Sequence, residues 1–342
     1  TSSHQAHVDL ARLFGSDKLI GPPISAELVE LMELLFTSEE AEVALHVPVM
    51  RQHPVERIAR RARRPVVVAA PLLAAMAARK VIHRGLKGYC LVPLLPGVYE
   101  KILMDGQDTP FHRDFARRMN ALFASGYMKD HIGSPTQTVR TIPVGAAVDT
   151  KSLLVDAGRV EEMIEAHDQM AVLTTCQCRQ GAHLTGHDCR RASAEEGCLA
   201  FGSFARFFVA EGGARYVTRE EMLRAAQARW DRGLVLFTGN VGPSSPNLIC
   251  ACCDCCCQML EGIIRPDPEI LITAPRVLAE VDESRCTACG ACVKACPTAA
   301  HTLEKKLHRF DVSKCVGCGH CVLACEERAI RTVPNPAWRP PA

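Results

Sequence analysis

Residues 286–297 read CTACGACVKACP, and residues 315–325 read CVGCGHCVLAC. Both place cysteine at the spacing C-x2-C-x2-C-x3-C; the first run closes on Pro297, and the second continues into Glu326. Three thiols separated by two residues each can reach three corners of one cube-shaped metal centre from a single tight loop. Small residues at Ala288, Gly290, Gly317 and Gly319 let the backbone wrap that centre and turn its N–H groups toward sulfur. A zinc ribbon needs two C-x2-4-C pairs, and eight cysteines in a doubled run exceed that pattern.

The doubled run resembles the bacterial two-cluster ferredoxins over about residues 279–332. In that family the fourth cysteine of each run ligates the other cluster. The resemblance therefore implies one 4Fe-4S cluster on Cys286, Cys289, Cys292 and Cys325, and a second on Cys315, Cys318, Cys321 and Cys296. It implies low-potential, one-electron transfer, and it leaves the electron donor and acceptor open. Glu326 stands where a proline is usual, a departure that leaves the ligands intact.

The rest of the composition sets the context. The chain has 342 residues, 48% of them hydrophobic, enough for two or three domains. A formal net charge of +2 gives no global sign of a nucleic-acid or anionic-membrane partner, and 5% aromatics do not make a stacking platform for single strands. Nineteen cysteines, an odd number on a chain this long, do not read as a secreted disulfide scaffold. No stretch reads as a signal peptide. The apolar run PVVVAAPLLAAMAA (65–78) is shorter than the roughly 20 residues of a spanning helix. The expectation is a cytoplasmic protein with no membrane span, whose reduced thiols serve as ligands or redox groups.

Upstream, apolar residues at Leu28, Leu31 and Leu35 recur at helical spacing. Ser38 followed by acidic residues predicts an N-cap, PVERIARRARR (54–64) a third helix and APLLAAMAARK (70–80) a fourth. VIHRGLKGYCLV (81–92) predicts a hairpin with Cys90 as a core residue, and FHRDFARRMNALFASG (111–126) a helix with an apolar stripe. Helices followed by a hairpin resemble a winged helix-turn-helix over about residues 24–94. Six arginines fall between 51 and 64. The would-be recognition helix offers few side chains able to read base edges, so the arginines read first as a solvated face of an interaction module.

In the middle, KSLLVDAG (151–158), RVEEMIEAHDQM (159–170) and AVLTTCQC (171–178) predict strand, helix and strand, a small α/β unit. RQGAHLTGHDCRR reads as a polar loop, CLAFGSFARFF as an apolar helix opened by Cys198, Thr218 to Glu221 as a capping box, and GLVLFTGN (233–240) as a buried strand. Residues 250–257 then read CACCDCCC. The strings LTTCQCR, EEGCLAFGSFARFF, TREEM, GLVLFTGN and ICACCDCCC resemble a little-characterised family of ferredoxin-containing bacterial proteins. That family adds architecture and no reaction.

A subset of Cys176, Cys178, Cys189, Cys198, Cys252, Cys253, Cys255, Cys256 and Cys257 is expected to hold at least one further iron–sulfur cluster. Zinc, with His183 or His187 as co-ligand, and metal-free redox thiols are the alternatives. The whole reads as an α+β multidomain protein. A winged-helix-like domain spans 1–130, a cysteine-rich α/β domain 131–278, and a two-cluster ferredoxin domain with its tail 279–342. Its expected function is multi-cluster electron transfer with a partner redox protein. A reductase with a substrate pocket near Arg179, His183 and His187 is the first alternative, and a redox-responsive DNA-binding regulator the second. Oligomeric state is not readable. Fingerprints for nicotinamide, flavin or ATP sites are not seen.

Overall fold

The computed structural model describes residues 2–19, 21–127, 139–148, 160–239, 248–264 and 272–339. Contacts divide the chain into two units: Thr1–Asp130 with Gln180–His187, and His131–Arg179 with Asp188–Ala342. Among the described residues no helix is long and apolar enough to cross a membrane.

The first unit is helical. Helices Ser2–Phe14, Ala26–Leu35, Ser38–Ala44, Val55–Arg61 and Val66–Ala78 precede a hairpin of His83–Gly85 and Gly88–Cys90, followed by Tyr99–Leu103 and Pro110–Ala124. The expected stripe of Phe115, Met119, Leu122 and Phe123 is buried, together with Leu28, Leu31 and Leu35, and Cys90 is a buried residue of the hairpin. The third helix is capped by Thr37 rather than Ser38. The Thr37 hydroxyl accepts from Glu40 N, and the Glu40 carboxylate accepts from Thr37 N. Arg79 reaches the same buried carboxylate at 2.6 Å, so its charge is paired. Thr37→Ala is expected to cost about 1 kcal/mol of stability, read as a lower denaturation midpoint.

The second unit contains a six-stranded sheet. Its spatial order is Val139–Ile142, Val235–Gly239, Leu248–Cys252, Leu199–Phe201, Met170–Leu173, Ala214–Tyr216. Every neighbouring pair is antiparallel, so this part is α+β and not a parallel strand–helix–strand unit. The strand expected at 151–158 lies outside the described residues. The helix expected over 159–170 covers Val160–Glu165, and the following strand runs only from Met170 to Leu173. Cys178, expected at the end of that strand, sits instead on a helix, Gln177–Leu184, which also takes up the first part of the stretch expected to be a polar loop.

CLAF is also a strand and not the start of a helix. Leu199, Ala200 and Phe201 are all buried, and a short strand buried on both faces has the same continuous apolar pattern as a helix. Gly202, at φ +54°, turns the chain from that strand into the helix Gly202–Ala210. The capping box at Thr218 and Glu221 forms as expected, and Val235–Gly239 is the buried strand expected at 233–240.

The C-terminal part of this unit pairs Val277–Val281 with Ile330–Pro334 and adds a hairpin, His301–Glu304 with Leu307–Phe310. Short helices Ala291–Ala295 and His320–Leu323 follow the two cysteine loops. Among the described residues, side-chain and main-chain bonds join this part to the six-stranded sheet and its flank. Val144 N donates to the Cys318 carbonyl (2.9 Å), His320 Nε2 to the Leu234 carbonyl (3.1 Å), and the Thr332 hydroxyl to the Ala147 carbonyl (2.8 Å).

Candidate metal centres

The two cysteine runs fold into near copies of one another. Ala288 and Gly317, each one residue before the second cysteine, have φ of +53° and +68°. Gly290 and Gly319 have φ of +81° and +88°. A Cβ on Gly317 would lie 2.3 Å from the Val277 carbonyl oxygen, so glycine is required there by space as well as by conformation. After the fourth cysteines, Ala299 and Arg328 are again left-handed. Their successors donate backbone N–H bonds to sulfur, Ala300 to Cys296 at 3.3 Å and Ala329 to Cys325 at 3.2 Å. Pro297 and Glu326 therefore support the same turn.

The fourth cysteines cross. Cys286, Cys289, Cys292 and Cys325 line one cavity, and Cys296, Cys315, Cys318 and Cys321 line another. Between them lies an apolar core of Ala279, Cys292, Cys321 and Ile330, with Cys315 and Cys325 packed against it. Burial pushes the thiols of Cys292, Cys315 and Cys321 up and that of Cys318 to about 12. Such thiols ionise readily only beside a cation. Four sulfurs around an apolar-walled cavity are a donor set that fits a 4Fe-4S cluster.

The ten middle cysteines separate into two groups. In the first, the thiols of Cys189, Cys253, Cys255 and Cys256 all lie within 4.8 Å of one another. A hydrogen bond from Cys256 is the main cause pulling Cys253 down to about 5, while burial pushes Cys189 up to about 11. The group contains no histidine. His183 and His187, expected as zinc co-ligands, belong to the first unit.

The second group is a row of six buried or half-buried thiols, Cys176, Cys178, Cys257, Cys252, Cys250 and Cys198, each shifting the ionisation of the next. The directions alternate. Cys176, Cys257 and Cys250 are held down, first by the thiols of Cys178, Cys178 and Cys198 respectively, and Cys178, Cys252 and Cys198 are pushed up. Cys250 was missing from the residues singled out by sequence. The signal was present, because Cys250 and Cys252 are two apart on one strand and so share a face.

Arg179 is 1% exposed and touches this region at three points. Its Nε donates to the Ser193 carbonyl (2.9 Å), and its terminal nitrogens donate to the carbonyls of Ala251 (3.1 Å) and Glu196. Among the described residues it has no carboxylate partner. Burial disfavours its charge, but the surrounding thiols of Cys176, Cys253, Cys198 and Cys189 outweigh burial and hold it protonated. A buried guanidinium without a carboxylate requires another source of negative charge, and of these four neighbours Cys176 and Cys253, whose thiols are held down, are the ones suited to supply it.

The six-thiol row also meets the ferredoxin-like part. Cys252 and Cys257 share a buried core with Val235, Phe237, Leu260 and Val316, and both Cys250 and Cys318 pack against it. Residues 278–326 match the family model of the 4Fe-4S dicluster domain. The chain carries a ferredoxin-type iron–sulfur domain. The matched residues hold all eight cysteines of the two crossed sets, and the middle cysteines lie outside them. No curated protein and no solved structure matches the chain.

Proposed function

We propose that this protein is a multi-cluster electron carrier in which the dicluster domain exchanges low-potential electrons with a third redox centre on the six-thiol row. Cys286, Cys289, Cys292 and Cys325 hold one cluster of the domain, and Cys296, Cys315, Cys318 and Cys321 hold the other. Iron–sulfur clusters supply one-electron chemistry, and the N–H bonds to Cys296 and Cys325 tune it. The observation that carries the reading is the shared core. Cys318, a ligand of the second set, packs on the same apolar cluster as Cys250, Cys252 and Cys257. The helical first unit serves as the docking module for a partner redox protein.

The test is a reductive titration of protein purified without oxygen. The dicluster domain alone is expected to take up about two electrons per chain and to contain about eight irons. A third redox centre adds electrons and iron beyond these. Cys250→Ser and Cys257→Ser should remove that excess and leave the signals of the dicluster domain in place. An uptake that stops at two electrons in the parent protein would reject the third centre.

A further inference from the structure

The four-thiol group has a geometry different from the dicluster sets. Cys255 Sγ lies 3.6 Å from Cys189 Sγ and 3.7 Å from Cys256 Sγ, and all four sulfurs fall within 4.8 Å of one another. All four cysteines are free, so these are approaches between unbonded sulfurs. Four thiolates on one tetrahedral cation, with metal–sulfur bonds of about 2.3 Å, stand about 3.8 Å apart. In a cubane each thiolate binds a different iron, and the sulfurs stand on the order of 6 Å apart. The dicluster sets do not follow the first pattern; each lines the wall of its own cavity. Among the described residues, no three of their sulfurs converge within 4.8 Å.

We propose that Cys189, Cys253, Cys255 and Cys256 form a closed mononuclear site for one divalent cation of zinc's class, distinct from every iron–sulfur centre of the chain. Three ligands come from a single loop and the fourth from a segment more than sixty residues upstream. The same two segments are joined a second time. Arg191 clamps Asp254, inside the cysteine loop, through bonds of 2.6 and 3.1 Å. Arg191 N also approaches Cys189 Sγ at 3.5 Å, and the Arg190 side chain reaches Asp254 at 3.4 Å. A divalent cation on four thiolates carries two net negative charges, and Arg190 and Arg191, less the charge of Asp254, offset one of them. Four protein ligands leave no position for substrate, so the site is structural. It fixes the loop whose flanking residues, Cys252 and Cys257, belong to the six-thiol row. The inference does not depend on the redox reading of that row.

The test is metal and acid-labile sulfide analysis of the full chain, beside Cys189→Ser and Cys255→Ser. One zinc, or one iron without sulfide, is expected per parent chain and lost from both variants, with the remaining iron and sulfide unchanged. Zinc against iron identifies the cation, and either result upholds a mononuclear site. Loss of about four irons together with sulfide would show a cubane and overturn the proposal. So would a parent chain with no metal beyond its iron–sulfur clusters. Cobalt exchange in the parent protein needs no variant to fold. A mononuclear tetrathiolate site yields the intense visible bands of tetrahedral cobalt bound to sulfur, and their absence after stoichiometric cobalt uptake rejects it. Failure here leaves the dicluster assignment and the six-thiol reading standing, because neither uses these four residues.

Discussion

Cys325→Ala is expected to remove the cluster of Cys286, Cys289 and Cys292, although Cys325 belongs to the other run. The variant should lose about four of the dicluster domain's eight irons, or about one if a three-iron form survives. Cys296→Ala should do the same to the set of Cys315, Cys318 and Cys321. The crossing is read from double variants. Cys325→Ala with Cys286→Ala should lose no more than one cluster, because both changes strike the same cavity. Cys325→Ala with Cys315→Ala should lose both clusters, because the changes strike different cavities. The reverse pattern in iron content and in the spectrum of the reduced protein would mean that each run serves its own cluster.

Arg179→Met is expected to destabilise the second unit by about 3–5 kcal/mol, the scale for removing one member of a buried charge pair. The substitution removes the positive charge held among Cys176, Cys189, Cys198 and Cys253. It also leaves the carbonyls of Ser193, Glu196 and Ala251 without their shared donor. Chemical denaturation of protein with its metals bound measures the loss. Arg179→Lys separates the two causes, because lysine keeps the charge but cannot reach three carbonyls in one plane. The lysine variant should recover part of the stability and keep the metal content of the middle cysteines. The methionine variant should lower the midpoint potential of the six-thiol centre, since a nearby cation favours the more negative, reduced state. An unchanged potential in the methionine variant would assign Arg179 a purely structural role.

How much could be read from sequence depended on whether spacing or tertiary approach carried the information. The dicluster runs were legible because three cysteines of each set lie within one loop, where the interval between them is itself the geometry. The crossing of Cys296 and Cys325 was accessible through family resemblance. The middle group was not legible in the same way. Cys189 meets Cys255 across 66 residues, and Cys176 and Cys178 meet the CACCDCCC loop across more than 70. No local interval encodes such approaches. CACCDCCC looked like one dense site, and the fold divides it by side: Cys250, Cys252 and Cys257 join one group, and Cys253, Cys255 and Cys256 the other. The role of Arg179 was equally hidden, because its partners are main-chain carbonyls, which any residue provides. CLAF was misread as helix for a local reason, since a strand buried on both faces carries no alternation.

The bonds from Val144 to Cys318, from His320 to Leu234 and from Thr332 to Ala147 bear on how such a protein would keep time. A ferredoxin on a loose tether delivers charge by wandering until it meets its acceptor, at a rate set by leash length and solvent friction. Here the cysteine loop is fastened at its own backbone to the neighbouring sheet. Any hop between the dicluster domain and the six-thiol row would then keep one pace in dilute buffer, in glycerol and in a crowded extract. Only the arrival of the outside partner would slow.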